Sequence, residues 1–468
     1  MNTNSGREEI SRDAPPIGFV PMPTIEYRAH RKTMKSTVEP GHPVIIPVPI
    51  PIPVPLLTGP RVLMWKQDPA VSEIGIRRAF IPSYVASGPR DARIKMEGVA
   101  SVNKNSLGDF IEVPNSEAFD SVHAFTVVRQ TLTMYQRALG GIALPWQWNT
   151  PTNADPLSVF PRAGVTQNAF YSRTQKALKF FYFTPANKPT VYTCRSFDIV
   201  AHECGHAVLD ALKPNWLLAN NPPQTGGLHE AFGDLTAIFL ALSQMDQVEA
   251  VIAQTKANLH DKTFLADVAE QFGLALGRPN GLRNADNDLR LSEVGNEVHA
   301  ISQVFTGAVY DILADIFMSE RQWLRKDDAR ILYETGQYVC SLVLRACIQA
   351  PDSGATFAHV VNKMLQITVA DNKPVSYRNF IRNRFTLREV VVSPTPLAED
   401  MATMTELAPA ILDEPGAMQN RHTCCGTMQL DEYLGMDDML QSQIDELKKS
   451  LRKGAIRDSS DKPYSQLS

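Results

Sequence analysis

Residues 202–206 read His-Glu-Cys-Gly-His inside an apolar window with helix signals at both ends, and they constrain this chain more than any other feature. Two histidines four residues apart on a helix lie on one face, one turn apart, where both imidazoles can grip a single metal ion. Glu203 stands beside them, where a carboxylate can take a proton from a metal-activated water. The window opens at Ser196, which suits an N-cap, and Asp198 suits the first turn of a helix dipole. It closes at Lys213 and Pro214, the first suited to a helix C-terminus and the second unable to continue a helix. The spacing predicts one helix carrying the whole HExxH motif.

A catalytic zinc takes three protein ligands and keeps a fourth position open. The segment Gly226-Gly227-Leu228-His229-Glu230-Ala231-Phe232-Gly233-Asp234-Leu235 predicts a second helix on which Glu230 and Asp234, four apart, share a face. Glu230 is then the third metal ligand beside His202 and His206, and Asp234 reaches the outer nitrogen of a ligand histidine. His229 precedes Glu230 and points about 100° away round the helix, which excludes it as a ligand. Cys204, two residues after His202, faces away likewise and reads as a small buried thiol.

HExxH followed some two dozen residues later by E-x-x-x-D resembles the thermolysin-like zinc metallopeptidases, the gluzincins, over roughly residues 110 to 385. The resemblance implies an α+β, two-lobed fold: a mixed N-terminal lobe with the zinc helix and a mainly helical C-terminal lobe. Asn168-Ala169-Phe170-Tyr171 resembles the edge strand along which a substrate peptide lies, so Asn168 and Ala169 are expected to bind substrate. Arg283, in Gly281-Leu282-Arg283-Asn284, resembles the arginine that holds a substrate carbonyl. His299, in Val298-His299-Ala300-Ile301-Ser302, resembles the histidine that stabilises the tetrahedral intermediate. Two departures stand out. Asp198 matches a calcium-ligand position of the family, yet Ala241-Leu242-Ser243-Gln244-Met245 replaces its expected acidic partners, which leaves Ca2+ doubtful. The family's second oxyanion donor, a tyrosine, falls near Trp216-Leu217, and an indole donates one hydrogen bond without acting as a phenol.

The expected organisation is an N-terminal extension over 1–110 with a proline-rich strap at 43–60, a mixed lobe over 111–225, a helical lobe over 226–390, and a C-terminal extension with a charged tail over 391–468. Prolines at nearly every second position of PVIIPVPIPIPVPLLTGP forbid a helix or a central strand, so the strap is read as extended and docked on the body or on a partner. A net charge of -4 gives no reason to expect nucleic acid or an anionic membrane as partner. No stretch approaches the roughly 18 uninterrupted apolar residues of a membrane span. The polar start, MNTNSGREEISRDAPP, leads to a cytoplasmic expectation. Six cysteines are no disulfide framework in so long a chain; Cys340 and Cys347 read as core thiols, and Cys424-Cys425 beside His422 lacks zinc-site spacing.

These readings converge on a zinc-dependent peptidase that hydrolyses internal bonds of a peptide or protein substrate, with Glu203 as general base and His299 as oxyanion donor. An aminopeptidase of the same zinc class needs an acidic anchor for the substrate's free amine, and no clear segment supplies one. A zinc-containing peptide-binding protein with weak or no turnover is the third reading, suggested by Trp216-Leu217 and the strap.

Overall fold

Short apolar runs broken by glycine and proline become the strands of the N-terminal lobe, and they surround a single long helix. The computed structural model describes residues 59–391 apart from 219, 280 and 323. The strap up to residue 58, the Cys424-Cys425 pair and the charged tail lie outside the described residues.

Strands β1 (Arg61–Trp65) and β2 (Ile76–Phe80) pair antiparallel, Arg61 opposite Phe80. A second sheet holds β3 (Ile94–Met96), β4 (Leu157–Phe160), β5 (Ala169–Ser172) and β6 (Ala177–Phe180) in the order β3-β4-β6-β5. Its first two pairings are parallel and the last antiparallel, so β5 forms one edge. Helix α1 (Glu117–Ala138) starts where the Ser116 hydroxyl accepts from Phe119 N–H at 3.1 Å, and it stops at Gly140 and Gly141, both with positive φ. It packs against β1, β3 and the HExxH helix. Strand β3 is hydrogen-bonded into the sheet of β4, and Val62 bridges to Phe110.

After a two-stranded ribbon, β7 (Tyr182–Phe183) with β8 (Val191–Tyr192), the chain enters α2 (Phe197–Leu212) and then α3 (Pro223–Leu242). All twenty residues of α3 are buried, its polar side chains included, because it is packed between neighbours. Those neighbours are α2 and α6 (Val298–Glu320). Between α3 and α6 lie α4 (Met245–Thr255), β9 (Asp267–Val268), α5 (Glu270–Ala275) and β10 (Arg283–Asn284), with β9 and β10 paired antiparallel. The helical lobe is completed by α7 (Asp328–Gln349), α8 (Phe357–Ala370) and α9 (Val375–Leu387). The expected two-lobed thermolysin-like arrangement is present: sheets with the HExxH helix on one side, helices on the other.

Helix α6 has the length and apolar character of a membrane span, but 83% of its apolar window is buried inside the fold. It packs against α3, α7 and α9, as a core helix does. Cys340 and Cys347 are buried on α7 as core thiols.

Candidate active site

The site begins with the crossing of α2 and α3. The Ser196 hydroxyl accepts from Ile199 N–H and caps α2, and Lys213 ends it before Pro214. The crossing is close because two glycines face it. A methyl group on Gly205 would lie 2.4 Å from Thr236 Oγ1, and one on Gly233 would lie 2.6 Å from His202 Cε1. Close approach brings the metal-ligand candidates of the two helices to one point.

His202 and His206 turn their Nε2 atoms toward each other at 2.9 Å, with the rings at 86°. Glu230 faces both, Oε2 at 3.6 Å from His202 Nε2 and Oε1 at 3.7 Å from His206 Nε2. One donor atom from each of the three lies within 4.8 Å of the others. Both Glu230 oxygens are buried without a hydrogen-bond partner. An ionised carboxylate left so in a dry interior is costly unless a cation sits against it. Two imidazoles and a carboxylate converging on one point fit zinc, and Glu203, fully buried on the same helix, stands next to His202. Burial works against charge on His202, yet Asp234 and Glu230 outweigh it and lift the imidazole to about 10. Burial would likewise raise Glu230, but His206, His299 and His202 hold it well below the usual carboxylate range. Burial pushes the third ligand candidate, His206, well below the usual imidazole range.

The outer nitrogens have partners too. His202 Nδ1 meets Asp234 Oδ1 at 2.9 Å, and Arg283 binds the same carboxylate through Nε at 2.7 Å and Nη2 at 2.6 Å. Arg283 thus sits on Asp234, a position that the reading of it as a carbonyl clamp did not include. His206 Nδ1 lies 2.7 Å from His229 Nδ1, with the two rings stacked at 4.9 Å. His229 is no metal ligand, but sequence reasoning missed this contact. Burial takes the His229 imidazole down to about 3, so it is neutral.

His299 opens α6, with Nε2 directed at Glu230 Oε2 at 3.9 Å and buried without a hydrogen-bond partner. Its Nδ1 is bonded to Glu297, whose carboxylate also caps α6 through the His299 and Ala300 N–H groups at 3.1 and 2.8 Å. Burial opposes charge on His299, but Glu297 and Glu230 push it up to about 9. Glu297 is the second residue missed; a carboxylate two positions before a candidate histidine at a helix start was the available signal.

Asn168 and Ala169 enter the edge strand β5. The Asn168 side-chain oxygen accepts from Ala169 N–H at 2.8 Å, so the group Asn168 can extend to a substrate is its amide donor. Asp210, one turn after His206, accepts from Tyr171 Oη at 2.6 Å and from Arg173 Nε at 2.9 Å, tying β5 and the turn after it to the HExxH helix. Trp216 is fully buried and gives its indole N–H to Pro351 O at 2.9 Å, so it is not turned into the site. Asp198 has two buried acidic neighbours after all, Asp68 and Glu270, with one oxygen from each within 4.8 Å of the others, a grouping able to hold a cation. They come from before β2 and from α5, not from the end of α3.

The His202-Glu203-x-x-His206…Glu230 arrangement matches the active site of a gluzincin zinc metallopeptidase. No protein-family model matches the sequence, and a search of curated proteins finds no significant match.

Proposed function

We propose that the protein is a zinc-dependent endopeptidase that receives an extended peptide along β5 and hydrolyses an internal bond next to His202, His206 and Glu230. The observation that carries this reading is the buried Glu230 carboxylate, without a hydrogen-bond partner, facing two converged imidazole nitrogens beside Glu203. When bound, zinc supplies a Lewis acid that makes water a nucleophile near neutral pH and polarises a carbonyl. Glu203 takes the proton of the attacking water and returns it to the leaving amine. His299 donates from Nε2 to the oxygen that gains charge on the substrate carbon. Asp234, held by Arg283, fixes the His202 ring so that Nε2 faces inward. Asn168 and the β5 backbone hold the peptide extended.

Glu203→Gln tests the reading. It should retain zinc while peptide cleavage falls by about 10²–10⁴-fold. Activity indifferent to this change, or to removal of zinc by a chelator, would sink the proposal. Peptides blocked at the N-terminus should be cleaved as well as free ones; a demand for the free amine would make the enzyme an aminopeptidase. The alternative is a zinc protein that binds peptides and turns them over weakly. Tight peptide binding without cleavage at saturating zinc would establish it.

A further inference from the structure

We propose that His229 is a positioning residue for the metal: its Nδ1 accepts the outer proton of His206 and so fixes that ligand's tautomer and ring plane. The inference rests on the zinc reading above and adds a residue to it. A histidine that binds metal through Nε2 must carry its proton on Nδ1. The two Nδ1 atoms are 2.7 Å apart, room for one shared proton, so His229 accepts there and carries its own proton on Nε2.

That His229 Nε2 is buried and has no hydrogen-bond partner. A residue serving only to fill space would do better as phenylalanine or leucine, which bury no orphaned donor. The orphan is the cost of offering an acceptor to His206. Helix α3 then supplies three groups in one short stretch: the ligand Glu230, the acceptor His229 for His206 and the acceptor Asp234 for His202. The two acceptors differ in charge. Asp234 is an anion balanced by Arg283, whereas His229, accepting at Nδ1 and holding one proton on Nε2, is a neutral ring. No net negative charge therefore stands behind the two imidazoles, and the positive charge of a bound metal is offset by Glu230 alone among these groups. A less compensated metal is a stronger Lewis acid toward a substrate carbonyl.

Two variants test this, His229→Phe, which keeps the stacked ring and removes the acceptor, and His229→Asn, which restores an acceptor. Zinc dissociation constants are measured by chelator competition on protein shown to be folded, and the visible spectrum is recorded after cobalt substitution. His229→Phe should weaken zinc by about 10–100-fold and shift the cobalt bands, while His229→Asn should stay within about threefold of wild type with little shift. Equal zinc affinity in all three proteins, or equal losses in both variants, overturns the role of His229. If the wild type itself fails to bind zinc, the enzymatic reading falls instead. Should His229→Phe fail to fold, His229→Leu and His229→Asn carry the same comparison.

Discussion

At the scale of single residues, the site is a set of imidazoles whose charge is decided by what stands behind each ring. His299 shows it most directly. Below about 9 it is an imidazolium, and above that value it is neutral. A bound cation offsets Glu230, so in the zinc form the alkaline fall of kcat/KM should lie at or below about pH 9. Its pKa is raised, so the activity is present on the acid side of that limb and lost as pH rises through it. Glu297→Gln removes the strongest raising influence and should move the limb to lower pH without changing zinc content; a pH profile identical to wild type would detach His299 from the rate. His299→Ala should lower kcat by about 10²–10³-fold, the usual effect of losing one oxyanion donor. His202, His206 and Glu230 were legible because helical spacing alone puts them on facing sides of two helices. His229 was not, for an instructive reason. A rotation of 100° took it away from the metal, but the same rotation carried it to the far nitrogen of His206. Spacing says which direction a side chain leaves a helix, not which neighbour meets it.

At the scale of elements, the crossing of α2 and α3 depends on small residues where the helices touch. Gly233→Ala offers a clear contest of magnitudes. Alanine gains about 0.8–1 kcal/mol of helix propensity over glycine. Its methyl group, however, would sit 2.6–2.9 Å from three atoms of the His202 ring, a ring pinned by Asp234. Overpacking of this kind costs about 1–3 kcal/mol, so the clash wins and the variant should melt lower than wild type. It should also bind zinc more weakly, because the displaced group is a ligand. A melting temperature at or above that of wild type, with zinc affinity unchanged, would show that the helices have room to part. The helix limits were well marked in the sequence: Ser196 and Pro214 bound α2, and the double glycine at 140–141 closes α1. The sheet was less legible. Strand β3 is three residues long, too short a run to announce its parallel pairing with β4.

At the scale of the whole molecule, three buried carboxylates link distant parts of the chain: Asp68 before β2, Asp198 on α2 and Glu270 on α5. Burial raises all three above the usual carboxylate range, and for Asp198 and Glu270 the neighbouring carboxylates add to it. A carboxyl with a raised pKa stabilises the fold fully below its unfolded value, here 4.5 for Glu270, and that contribution is lost as pH rises through the folded value. In chelator, Glu270→Gln should therefore melt higher than wild type at pH 7, and the difference should shrink as pH falls toward 4.5. A variant less stable than wild type at pH 7 would mean that the carboxylates are compensated and not merely crowded. The sequence marked Asp198 by resemblance, but nothing announced Asp68 and Glu270 as its partners, since the three share neither a helix nor a motif.

The edge strand β5 has a consequence for what the enzyme can meet. An open edge ordinarily invites pairing with any other exposed strand, including a second copy of the same protein. Here each of its four residues is at least 95% buried, so the edge is recessed. If a peptide pairs with β5 as proposed, a partner must reach this covered edge as a lone strand, since a neighbouring sheet brings its whole breadth with it. The expected outcome is selection by conformation: an unfolded protein should be cleaved far faster than its compact folded form, and equal cleavage of the two would rule the idea out.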